Sequence, residues 1–363
     1  MPTITPGEQK LAALFGVYEN DYNQINIRFT NIDGYVDWGD GTAGTVTGLA
    51  IEEHLYDYAS LTGSVYQDTD GKNYKQVIII ATGSGGTYST VELARTSTYN
   101  SQGTRNILDF VFSWDGNAYF ITNQTWDKCE RFIYLAPNLG SNINSYYDYK
   151  LTNVRYLELP SGSSITSAQV AFRALGPVTN SPNIYINNTG TSNVMFQAST
   201  AKKLGNITID SSTALTSLFV SSYGLEVVGG VTGSACTNLA TAFSTCYRLK
   251  SLGLIHTPNN TSISSTFNTC ISLEEIAFTD CSNVTTTTTA FNACRALRSL
   301  RMPGIAVSFS IASCNLQRDA LVALFGDLAT TTATITITGN PGVPDLSAAD
   351  LQIATDKGWT VAT

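Results

Sequence analysis

The chain has 363 residues, a formal net charge of −8 and only 13% charged residues, about half the roughly 25% usual for globular proteins. That length accommodates two or three cores, and the missing polarity comes from Ser, Thr and Asn, which cost less to desolvate than charged groups when surfaces assemble. An acidic balance without a basic stripe argues against nucleic acid, and no apolar run reaches the roughly 18 residues of a bilayer span.

In chain order, Met1-Pro2-Thr3-Ile4-Thr5-Pro6 lacks a basic stretch followed by an apolar one, so no secretory leader is expected and synthesis in the cytoplasm is. Thr5-Pro6-Gly7-Glu8 reads as a helix start, with Leu11, Leu14 and Phe15 as its buried stripe. The segment 1–21 is therefore expected to be a helical attachment segment. Strand patterns follow at Ile25–Phe29, Tyr35–Trp38, Gln76–Ile80 and Ile107–Trp114, the material of a β-sandwich over 22–128.

From residue 129 the pattern changes to a repeat. Phe219, Phe243, Phe267 and Phe291 recur every 24 residues, followed by Ser222, Cys246, Cys270 and Cys294, then by Leu225, Leu249, Leu273 and Leu297. The unit F-x-x-C-x-x-L-x-x-L predicts stacked coils whose equivalent residues form ladders, because one coil cannot bury its own apolar face. A degenerate beat at 131–135, 154–159, 183–186 and 206–209 extends the solenoid over 129–314, about eight coils with a parallel sheet. The seven cysteines lack CxxC spacing, so reduced packing in the ladder is expected in place of zinc or a disulfide framework. Residues 315–363 read as a C-terminal α/β cap. A helical period runs from Leu316 to Leu328, a strand from Ala333 to Thr338, and a helix capped by Ser347 and Asp350 precedes a last strand at Trp359–Val361.

Val36-Asp37-Trp38-Gly39-Asp40-Gly41-Thr42, then His54-Leu55-Tyr56, then Tyr74–Ile79, resembles β-sandwich domains of the polycystic-kidney-disease (PKD) type, which carry W-G-D-G-T, H-x-Y and Y-x-V in that order. A longer loop at Ser60–Asn73 departs from that pattern. The repeat and the closing phrase Gly339-Asn340-Pro341-Gly342 … Gly358-Trp359-Thr360-Val361 look like leucine-rich repeats of the bacterial-surface type. The opening Glu8–Leu11 and Val17–Asn23, with the W-G-D-G-T phrase, looks like the start of structural proteins in tailed marine bacteriophages.

These resemblances imply a non-enzymatic virion structural protein, a tail fibre, receptor-binding protein or capsid decoration, assembled in the host cytoplasm and exposed on the particle. Other virion proteins, further copies of the chain and a host-surface glycan or protein are the implied partners, without nucleic acid or membrane insertion. A bacterial cell-surface adhesin is the alternative, and a polysaccharide-degrading enzyme a more distant one.

Little in the sequence points to catalysis. His54 and His256 are the only histidines, and no G-x-S-x-G, P-loop or H-E-x-x-H pattern occurs. No cofactor is expected. Asp37 and Asp40 could hold a cation, as could Asp68 and Asp70 with their alternate oxygens, but Asp40 holding its own turn and a plain hairpin at 68–73 are the simpler readings. Tyr146, Tyr147 and Tyr149 form an aromatic cluster that could stack on a sugar or anchor a partner, or be buried.

Overall fold

The alternating and apolar runs of the sequence are strands almost throughout. The computed structural model describes residues 1–5, 8–20, 23–30, 33–47, 51–84, 90–93, 106–113, 119–122, 126, 128–135, 151, 153–158, 175–180, 182–186, 196–209 and 214–363. The chain is mainly β and divides into two units, Met1–Ser167 with Ala174–Val178, and Ala168–Arg173 with Thr179–Thr363.

The first unit contains β1 (Lys10–Tyr18), β2 (Gln24–Thr30), β3 (Asp33–Asp37), β4 (Ala43–Val46), β5 (Ile51–Leu55), β6 (Tyr66–Gln67), β7 (Asn73–Ser84), β8 (Thr90–Leu93), β9 (Ile107–Ser113), β10 (Tyr119–Thr122), β11 (Arg131–Tyr134) and β12 (Tyr156–Glu158). One sheet runs in the order β12-β11-β9-β1-β7-β3-β4, with β6 on β7; the other runs β10-β8-β2-β5.

The helix expected near the N-terminus is corrected here: Lys10–Tyr18 is a strand. It lies between β7 and β9, antiparallel to both. Leu11, Ala12, Ala13, Phe15 and Val17 are all buried, and a strand covered on both faces shows an apolar run that periodicity cannot tell from a buried helix. Thr5 and Glu8 form only a local turn, with the Glu8 N–H donating to the Thr5 carbonyl at 3.2 Å. The segment expected to be a helical attachment thus contains a sheet strand, and Ile4 packs with Ala12, Val111 and Ile133. The unit also extends past residue 128, because β11 pairs parallel with β9 and β12 pairs parallel with β11.

One face of β1 and its neighbours carries a row of aromatic side chains. Phe110 stacks on Phe132 at 5.3 Å and meets Trp126 edge-on at 4.7 Å, while Phe112 lies 5.1 Å from Tyr134. Such cross-strand pairs are the unit of sheet stabilisation.

The second unit contains β13 (Ile184–Ile186), β14 (Lys203–Ile209), β15 (Val227–Thr232), β16 (Ser251–Leu252), β17 (Ile255–His256), β18 (Glu275–Ala277), β19 (Ser299–Arg301), β20 (Phe309–Ser310), α1 (Arg318–Asp327), β21 (Ala333–Thr336), α2 (Ala348–Thr355) and β22 (Trp359–Ala362). Its strands pair in parallel, with Lys203 opposite Val227, Val227 opposite Ser251 and Glu275 opposite Ser299, a register of one 24-residue period. The repeating strands make a β-solenoid of about eight coils.

A second arm of each coil is also locked to the next. The backbone N–H groups of Leu215, Ser217, Phe219 and Ser221 donate to the carbonyls of Asn238, Ala240, Ala242 and Ser244, and the following coils repeat this. Ser217, Thr241, Ser265, Thr289 and Ser313 sit at φ between 52° and 60° in this arm. Left-handed backbone is costly for such residues; here it turns alternate N–H groups toward the next coil, and the hydroxyls pair as well, Ser217 with Thr241 at 2.8 Å and Ser265 with Thr289 at 2.7 Å.

At the C-terminal end, Ser347 and Asp350 form a reciprocal capping box at the start of α2. Arg318 of α1 grips Asp350 with two bonds of 2.9 and 2.8 Å.

Candidate functional site

The Phe, Cys and Leu positions picked out by spacing come together as ladders in the second unit. Phe219, Phe243, Phe267 and Phe291 stack at 5.2, 5.7 and 6.0 Å, with interplanar angles of 18° or less. Phe196 adds a rung 5.2 Å from Phe219. It escapes the sequence reading because its interval is 23 residues and Lys202 stands six positions on, where the other rungs have Leu. Phe309 and Trp359 continue the row edge-on, at 6.5 and 5.9 Å. Leu225, Leu249, Leu273 and Leu297 are all buried beside it.

The cysteine rung has a polar function as well as a packing one. The thiols of Cys246, Cys270 and Cys294 each donate to the carbonyl of the Phe 27 residues earlier, at 3.1 Å. Ser222 does the same toward the Phe196 carbonyl at 2.7 Å. Burial pushes the Cys246 thiol up to about 12 and raises Cys270 and Cys294 well above the ordinary range, so these thiols are not poised for nucleophilic chemistry.

In the first unit the W-G-D-G-T phrase forms the turn between β3 and β4. Asp37 accepts from the Gly39 N–H at 2.9 Å, and Asp40 accepts from the Thr42 N–H at 3.0 Å and its hydroxyl at 2.6 Å. The second Asp40 oxygen lies 2.7 Å from His54 Nε2. His54 stacks on Trp38 at 4.8 Å and meets Tyr56 edge-on at 4.5 Å, while the Tyr56 hydroxyl donates to the Trp38 carbonyl at 2.7 Å. Gly39 has φ +78°, and a side chain there would run into the backbone of Ile78. Burial opposes the Asp40 charge, but the Thr42 and His54 bonds outweigh it and hold the carboxyl below its ordinary range. Both Asp40 oxygens and one of Asp37 are thus engaged by the turn and by His54.

Asp68 and Asp70 lie in the turn joining β6 to β7. One Asp68 oxygen accepts from the Asp70 and Lys72 N–H groups, both at 2.9 Å, in the manner of an Asx turn. Among the described residues no group of three or more His, Cys, Asp or Glu is placed to hold a metal ion. Tyr146, Tyr147 and Tyr149 lie outside the described residues.

The register also makes a cavity that no motif announces. In β1 the side chains of Leu14 and Tyr18 face away from the aromatic row, as do their partners Ile78 and Tyr74 in β7. On this more open face a cavity of about 580 Å³ is lined by Leu14, Tyr74, Gln76, Asp109, Glu130 and Arg155, among others. Lys128 closes one side with its ammonium 3.5 Å above the Tyr18 ring and 3.8 Å from Asp68. Gly16 lies between Leu14 and Tyr18 on the same face; a Cβ there would come within 3.2 Å of the Tyr18 ring and 3.3 Å of Tyr74.

No protein-family model matches this chain, and no curated protein or solved structure does either.

Proposed function

We propose that the chain is a non-enzymatic virion structural protein of a tailed bacteriophage, exposed on the particle as a tail fibre, receptor-binding protein or capsid decoration. In this reading the first unit contains a PKD-like sandwich, the second is of the leucine-rich-repeat type, and residues 315–363 cap its last open coil. The feature that supports the reading is the joining in one chain of a β-sheet unit with a packed W-G-D-G-T turn and a β-solenoid. The first holds the Trp38–Asp40–His54–Tyr56 cluster, in which these four residues of the W-G-D-G-T and H-x-Y phrases stack on or hydrogen-bond to one another. The other is the solenoid with its buried, unpaired cysteines. Reduced thiols suit a protein that assembles in a cytoplasm and leaves without passing an oxidising compartment.

The test is immuno-electron microscopy with an antibody to residues 1–128, applied to purified virus particles and to envelopes of the cells that produce the protein. Label on heads or tails supports the reading and decides between decoration and host attachment. Label on envelopes alone overturns it in favour of an adhesin.

A further inference from the structure

We propose that the cavity beside β1 and β7 is a saccharide-binding site that takes a neutral oligosaccharide. The proposal rests on reading the chain as a binding protein, though not on where it is displayed.

The argument begins with hydrogen-bonding capacity that the protein does not use. The Gln76 amide and the Asp70 carboxylate face the cavity and make no side-chain hydrogen bond with the described residues. Asp109 has Arg131 only at 3.9 Å, and Glu130 has Arg155 only at 4.0 Å, both beyond hydrogen-bond length. Asp109 is half-buried, and loss of water raises its pKa although Arg131 opposes the rise. Hydroxyl donors from a ligand would restore the bonds this carboxylate has lost.

The placement of these groups decides the kind of ligand. The acceptors stand apart, on the 68–72 turn, on β9 and just before β11. They do not converge on one point as ligands to an ion would. A rigid ring with hydroxyls around its rim matches dispersed acceptors, with the Gln76 amide as a donor. Leu14 and Leu108 supply apolar surface for the C–H face of a sugar. The volume lies within the roughly 300–1,000 Å³ of small-molecule sites. Charge narrows the class further. Asp68, Asp70, Asp109 and Glu130 outnumber Lys128 and Arg155 around the cavity, so sulfated, phosphorylated or uronate-bearing sugars are repelled.

The experiment uses the full chain on an array of neutral hexose and N-acetylhexosamine oligosaccharides beside sulfated and uronate-containing ones, followed by calorimetry with the best neutral probe. Gln76→Ala, Asp109→Asn and Asp70→Asn are then compared with the wild type, each checked for an unchanged melting temperature. Asp70 lies on an exposed turn, so its substitution keeps the test open if either of the others disturbs folding. The expected result is selective binding of a neutral probe, weakened about tenfold by each variant that folds, or about 1.4 kcal/mol. Failure to bind any neutral probe, preference for an anionic one, or wild-type affinity in the folded variants overturns the proposal. A chain that labels particles but binds no sugar refutes this inference alone. One that binds sugar but labels no particle refutes only the virion assignment.

Discussion

Phe267 gives the sharpest test of the stacked-coil arrangement. Its side chain is fully buried, between Phe243 at 5.7 Å and Phe291 at 6.0 Å, with Phe278 edge-on at 6.3 Å. Truncating a buried Phe to Ala typically costs about 3–5 kcal/mol, from lost transfer energy and the cavity left behind. Each aromatic pair adds about 0.5–1.5 kcal/mol beyond burial, and Phe267→Ala removes three, so the upper half of that range is expected. The loss falls on the interfaces with both neighbouring coils, which are what hold a solenoid together. Urea unfolding followed by circular dichroism, with the transition of the second unit fitted separately, measures it. Ile271 provides the control: it lies in the same coil but is 43% exposed, so Ile271→Ala should cost less than about 0.5 kcal/mol. A Phe267→Ala cost below about 1 kcal/mol, or one no larger than that of Ile271→Ala, would refute the ladder.

Two further outcomes follow from the hydrogen bonds. Because Ser222 already fills the cysteine position and donates to the Phe196 carbonyl, Cys270→Ser should stay within about 1 kcal/mol of wild type. Cys270→Val, which removes the donor and adds volume, should cost about 1–3 kcal/mol in the same titration; the reverse order would show that the S–H donor does not matter. The Asp40 carboxyl is held below its ordinary value of 3.8 in the folded state. Its contribution to stability is therefore present above that value and is lost as pH falls through the lower, folded value. The melting-temperature difference between wild type and Asp40→Asn should be steady near pH 5 and shrink below about pH 4; an unchanged difference across that range contradicts the account.

What was legible in the sequence depended on how local the physics is. The 24-residue recurrence from Phe219 to Phe291 could be read because each coil repeats the same contacts, so one interval fixes the register of a whole ladder. Phe196 was invisible because a single-residue change of interval removes it from the count, although its ring still stacks at 5.2 Å. The capping box at Ser347 and Asp350 was readable for the same reason, since cap and helix lie within four residues. Lys10–Tyr18 was misread because its apolar residues satisfy either period. What makes it a strand is pairing with Ile107–Ser113 and Asn73–Ser84, partners more than fifty residues away.

The same distinction separates the two parts of the first unit that bear on function. Trp38, Asp40, His54 and Tyr56 sit within nineteen consecutive positions and were found as a phrase, and their bonds close within it. The cavity residues instead come from β1, the 68–72 turn, β7, β9 and the segments leading into β11 and β12. No spacing rule joins Leu14 to Asp109; the antiparallel pairing of β1 with β9 does, by setting the two directly opposite. The strand misread as a helix is thus the one that builds the cavity. A helix over residues 10–18 would have removed both the floor and the register that brings Gln76, Asp109 and Glu130 around one space.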